Sequence, residues 1–299
     1  MEGLVSGMAD STRQVTQRST SDTDVRLGRF APPEVSPAEA SAVLRRIGLV
    51  SYDFSGKTTF STSSADWPPA YHEIHSFLDG VGCDAVVYPL LPVETSFASE
   101  VPERPAFEEL RAIRYVYVGM APDAQGRRRA SAWSRDTAEA RVMTERAFTK
   151  HEFSKEPASM LPELPDRVFG NAFFLFAGEM NAITYQRSTG TSVDHIRLVP
   201  FLEERRISMV LNPASFYMRR WQTKFKRQFL SDPDRTIITL WNKKAWPKPE
   251  FVGEASRPWT AYRGGEDITS EIVEIPTETH GLGAAIRLAM LVSRDREEA

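Results

Sequence analysis

The sequence predicts an α/β layer fold, and three stretches predict it. Ala172–Ile183 is an apolar run with the aromatic and β-branched content of a buried strand, ending on the carboxylate of Glu179. Ile207–Leu211 is a second apolar strand that runs straight into Asn212-Pro213-Ala214-Ser215, and Thr236–Trp241 is a third that closes on Asn242. A basic, aromatic helix separates the last two. Buried strands alternating with helices are stacked in layers. In such layers chemistry gathers at strand ends, so Glu179, Asn212 and Asn242 are the first polar groups to examine.

Composition narrows the choice further. The chain has 299 residues, enough for one large domain or two modest ones. It is 41% hydrophobic and 26% charged, which suffices to bury a sizeable core. A formal net charge of −3 gives no global basic field for nucleic acid. A single cysteine, Cys83, excludes an internal disulfide framework and a multi-cysteine zinc site, and a cytoplasmic setting is expected. No apolar run approaches the roughly 20 residues that span a bilayer, and the N-terminus has no apolar signal core.

Taken in order, residues 1–33 are polar and poor in apolar side chains, which predicts a disordered tail before a single domain over 34–299. Ser36-Pro37-Ala38-Glu39 reads as a capping box opening a short helix through Leu44. Ile47–Asp53 is the first core strand. The Ser55-Gly56-Lys57-Thr58-Thr59 turn that follows is not a phosphate loop, because the glycine required five residues before the Gly-Lys pair is Ser51. Asp66-Trp67-Pro68-Pro69 caps a helix through Leu78, ended by Gly80 and Gly82. His72 and His75 share one face of it. A metal could use that spacing, but with no further ligand nearby in sequence a solvated face is the simpler account.

Asp84–Tyr88 is the second strand, with Pro89–Glu94 as its exit loop. A charged helix is expected near Ala106–Ala112, then a strand over Tyr115–Gly119, a turn at Asp123–Gly126, and a hairpin of Arg129–Trp133 with Ala140–Met143. Lys150 heads a long, Pro-punctuated loop to Pro165. Ser215–Leu230 is predicted as a helix. Its face of Tyr217, Trp221, Phe225 and Phe229 packs on the core, and its basic residues (Arg219, Arg220, Lys224, Lys226, Arg227) either face solvent or grip phosphate. The negative net charge favours solvent. Another Pro-rich loop covers Trp246–Pro258. Ile272–Ile275 is a late strand, and Thr279–Arg287, with two glycines, opens a C-terminal helix.

The order of these pieces, over roughly residues 45–276, resembles the carbon–nitrogen hydrolase (nitrilase) superfamily. The resemblance implies a four-layer α-β-β-α sandwich. It also implies a glutamate in the exit loop (Glu94), a lysine in Thr149-Lys150-His151, and a nucleophile strand matching Phe173–Glu179, with Asn212 and Asn242 at the ends of the next two strands. In that family a cysteine attacks an amide or nitrile carbon, the glutamate shuttles the proton and the lysine steadies the oxyanion. Here the nucleophile position is Ala177, and no Cys, Ser or Thr lies between Arg167 and Ile183. The expectation is therefore a divergent member without cysteine-dependent hydrolysis. It would bind a small amide- or acid-like ligand through Glu179, Lys150 and Asn212, with no cofactor. Two alternatives stay open: a hydrolase using another nucleophile or an activated water, with Glu94 or Glu179 as base, and an interaction module built on the basic helix. A homo-oligomer is implied by the resemblance alone.

Overall fold

The computed structural model describes residues 43–54, 70–91, 102–146, 157–216, 221–244, 257–277, 282 and 285–293. The expected tail, most of the 36–44 helix, the Ser55–Thr59 turn, Glu94 and Lys150 lie outside them. The fold is mixed α/β. Thirteen strands form one curled sheet that divides into two halves. The first half is built around β1 (Arg46–Phe54), flanked on one side by β2 (Ala85–Val87) and β3 (Tyr115–Met120), both running parallel. The hairpin of β4 (Arg129–Ser134) and β5 (Arg141–Thr144) continues that side.

The second half contains β6 (Val168–Phe169), β7 (Ala172–Phe174), β10 (Met209–Phe216) and β11 (Thr236–Lys244), extended by β12 (Trp259–Arg263) and β13 (Glu266–Asp267). Its central strands β7, β10 and β11 run parallel. The intervening β8 (Ile183–Gln186) and β9 (Thr191–Asp194) form a separate hairpin, which sequence reasoning had not separated from its surroundings. Among the described residues the halves pair as strands where β1 meets β11, through Asp53 opposite Lys243 and Phe54 opposite Lys244.

Alternation along the strands shows the layers. Ile47, Leu49, Val87, Tyr115 and Tyr117 of the first half share a core with Phe174, Met209, Leu211, Ile238 and Leu240 of the second. The residues between them point outward. Val50, Tyr52, Val86 and Val116 pack under α1 (Tyr71–Gly80), while Phe173, Val210 and Ile237 pack under α2 (Leu198–Glu204) and the end of α3 (Trp221–Leu230). Two sheet faces against each other, each covered by helix, make the four-layer α-β-β-α sandwich. Each fully buried Leu, Val or Phe contributes about 1.5–3 kcal/mol, so the central core and the two outer ones all contribute to stability.

Four expected elements differ. The apolar run from Ala172 is a strand only to Phe174, and Ala177–Ala182 is a 3-10 helix. Length alone cannot tell such a run from other buried structure. The segment at Ala106–Ala112 makes turns instead of a helix. The Asp79 carboxylate at the end of α1 accepts the backbone N–H groups of Arg111, Ala112 and Ile113, and Arg135 binds the carbonyls of Leu110 and Ile113. Side chains therefore take the backbone partners a helix would use. The basic helix is described over Trp221–Leu230, and Ser215 and Phe216, expected to open it, belong to β10. Finally, Ile286–Val292 is not helical. It is β15, paired antiparallel to β1 over seven positions and to β14 (Val273–Ile275) beyond, so sheet pairing overrides the helix preference of Leu, Ala and Met.

Candidate ligand-binding site at the sheet seam

The carboxyl ends of β1, β10 and β11 and the exit of β2 are tied together at the seam. Ser51 Oγ donates to the Trp241 carbonyl (2.8 Å), and Lys243 Nζ to Asp53 Oδ2 (2.8 Å). Asn242 donates to the Leu90 carbonyl (3.1 Å) and accepts from Tyr52 N–H (3.3 Å). Leu90 N–H donates to the Ala214 carbonyl, and Ser215 Oγ to that of Leu91 (2.7 Å). The exit chain can pass this closely because residue 119 is glycine: a Cβ there would lie 2.6 Å from Pro89 O. Asn212 plays the same tying role in the second half, donating to the Leu175 carbonyl (2.7 Å) and accepting from Thr239 Oγ1 (3.2 Å). Both asparagines are buried, at 0% and 1% exposure, so their amides hold strand ends and face no solvent.

Ala177 joins this seam, its methyl packed with Ala214 and Trp241. The chain turns there because Glu179 works as the N3 residue of the 3-10 helix, its Oε2 accepting from Phe176 N–H (3.0 Å). Its other oxygen accepts from Arg146 N–H (2.8 Å), and Arg167 Nη1 pairs with Oε2. Glu179 is fully buried and Arg167 nearly so, at 2% exposure. Burial pushes the Glu179 carboxyl up to about 7, and the Arg167 guanidinium and the Arg146 backbone N–H oppose the rise.

A second carboxylate flanks the same turn. Glu145, 3% exposed, accepts from Gly178 N–H (2.9 Å) and pairs with Arg128 Nη1 (3.2 Å). Glu163 pairs with Arg146 and Arg167. Three carboxylates and three guanidinium groups are thus gathered around residues 176–179. Sequence reasoning singled out Glu179 alone among them. Arg128 and Glu145 carry no local signal, since these partners lie 17 and 33 positions away along the chain, and the Glu179 partner of Arg167 lies 12 away, beyond its local pairing with Glu163.

Of the residues expected in the site, Ala177, Glu179, Asn212 and Asn242 are therefore gathered at one end of the second half of the sheet. Glu94 and Lys150 lie outside the described residues, whose chain ends at Leu91 and Arg146, both anchored at this seam. Cys83 is elsewhere: it is buried in the cluster under α1 with Ile74 and Leu78, where burial pushes its thiol up to about 12.

The two histidines part company. His72 is exposed near Glu103, whereas His75 is buried against Tyr88 Oη (3.2 Å) and Tyr71, contrary to a solvated face. Among the described residues no three His, Cys, Asp or Glu side chains converge as a metal site, and no helix is long and apolar enough to cross a membrane. The basic helix is not a uniformly solvated charge stripe either. Lys226 (8% exposed, bound to Asn181) and Arg227 (4%) are buried, and Lys224 faces solvent.

No protein-family model matches the chain, and no curated protein matches it in sequence. Among solved structures it overlaps a glutamine-dependent NAD+ synthetase from Cytophaga hutchinsonii at 11% identity and a TM-score of 0.39, over 76% of this chain and 40% of that one. For the glutamine-dependent NAD+ synthetase from Acinetobacter baumannii the values are 11% and 0.40, over 84% and 48%. A nitrilase-superfamily amidase from Nesterenkonia AN1, with a cysteine replaced by alanine, overlaps at 10% and 0.41, over 83% and 90%. The chain spans less than half the length of the two synthetases. Overlap of this degree assigns neither a family nor a chemistry to the chain.

Proposed function

We propose that the seam around Ala177 binds a small amide- or acid-like ligand without cleaving it through a thiol. The observation that carries this reading is the packing of the Ala177 methyl with Ala214 and Trp241 at the carboxyl ends of the strands, next to a buried carboxylate–guanidinium pair. Strand ends of an α/β layer are where ligands gather, and a methyl cannot attack a carbonyl. Glu94 and Lys150 complete the site in this reading. Leu91 and Arg146 precede them by three and four residues, spans of at most about 11 and 14 Å of extended chain.

A hydrolase with an activated water is the second reading. The raised Glu179 carboxyl favours it, but a general base must reach its water, and Glu179 is fully buried with N–H donors on both oxygens. Glu179 is better described as a positioning residue. An interaction module on α3 is less favoured, because Lys226 and Arg227 are buried.

Saturation-transfer NMR with acetamide, propionamide and their acids tests the proposal. Transfer to at least one of them, reduced by Lys150→Ala, is expected. Failure of all four to receive saturation contradicts it.

A further inference from the structure

Gly178 is the residue after Ala177, and its backbone N–H is the kind of donor that stabilises a developing oxyanion when a nucleophile precedes it. In this chain the donor is taken. Glu145 Oε1 accepts it at 2.9 Å, and Glu145 Oε2 lies 3.2 Å from Arg128 Nη1. The carboxylate is only 3% exposed, and it fills the space beside Gly178 so closely that a Cβ built there would overlap Glu145 Oε1. The glycine and the glutamate are therefore matched. A peptide N–H and a guanidinium are the ordinary recognition pair for a carboxylate, and here the protein supplies that carboxylate itself.

We infer that Glu145 is a specificity-determining residue: its carboxylate occupies the anion-accepting corner of the seam, so the site takes neutral amides and refuses carboxylic acids. This rests on the ligand reading above and sharpens it. A second carboxylate entering the corner would compete for the same two donors and meet a like charge in a site of low dielectric, whereas an amide carries no charge to be repelled. The remaining carboxylates of the cluster, Glu163 and Glu179, are already matched by Arg146 and Arg167, which leaves no surplus cation among them to draw an anion in.

The test compares acetamide with sodium acetate by saturation-transfer NMR and thermal melting, at matched ionic strength, on the full chain and on Glu145→Ala. The native protein is expected to bind acetamide and not acetate. Glu145→Ala is expected to melt lower and to be restored by acetate, by several degrees, and not by sodium chloride. A glutamate that only braced Arg128 would give the lower melting point without acetate-specific recovery, and that result overturns the inference. If Glu145→Ala does not fold, the isosteric Glu145→Gln serves, with acetate affinity expected to rise at least about tenfold; unchanged discrimination in it also overturns the inference. Acetate binding the native protein as well as acetamide does so while leaving the ligand reading intact. Binding of neither compound to either protein overturns the inference, and the ligand reading falls with it only when propionamide and propionate also fail to bind.

Discussion

Among the described residues, Arg167 and Glu179 are the most deeply buried ion pair, and each is the other's counter-charge. A buried pair is weak evidence for net stability, yet breaking one is costly, since it strands a charge. Arg167→Met should therefore lower stability by about 3–5 kcal/mol at pH 8, read from urea denaturation. The pH dependence follows from the direction of the shift. The folded carboxyl, at about 7, binds a proton more readily than the unfolded one near 4.5. Its contribution to stability is thus full below 4.5 and is lost as the pH rises to 7. Removing Arg167 raises the folded value further, so the loss in Arg167→Met should be smaller at pH 5 than at pH 8. A loss that grows toward acid would contradict this assignment. His75 acts in the opposite sense. Burial pushes it down to about 3, so its contribution falls as the pH drops below 6.5, but it is common to both proteins and cancels from their difference.

At the scale of elements, the seam depends on a few side chains because, among the described residues, β1 and β11 pair through two positions. Asn242 supplies two of the cross-links, to Tyr52 N–H and the Leu90 carbonyl. Asn242→Ala leaves both groups buried without that partner and should cost about 1–3 kcal/mol for each one left unsatisfied. Amide exchange at Tyr52 should quicken with it; unchanged stability and exchange would show that the seam is held elsewhere. Much of this level is legible in the sequence. Apolar stretches bounded by polar tips mark β1, β2, β3, β10 and β11, and Asp123–Gly126 marks the hairpin that follows β3. What escapes is set by distant partners. Nothing near residue 286 announces that β1 and β14 will flank it, and nothing near 106–112 announces the Asp79 carboxylate waiting at the end of α1.

Across the whole molecule, the four layers follow from strands whose alternate residues serve two cores, and the curled sheet brings the polar strand ends to one seam. The location of the candidate site was readable from those ends, as were Ala177 and Glu179. Its electrostatic lining was not, since Arg128, Glu145 and Arg167 reach it through tertiary contacts alone. Asn212 and Asn242 were found for their position and turn out to tie strands. The central claim is that this seam holds a small amide and leaves it whole. Incubating the protein with 15N-labelled acetamide and watching for labelled ammonium tests that directly. The account predicts saturation transfer to intact acetamide with no ammonium formed; steady ammonium release that Lys150→Ala abolishes would contradict it.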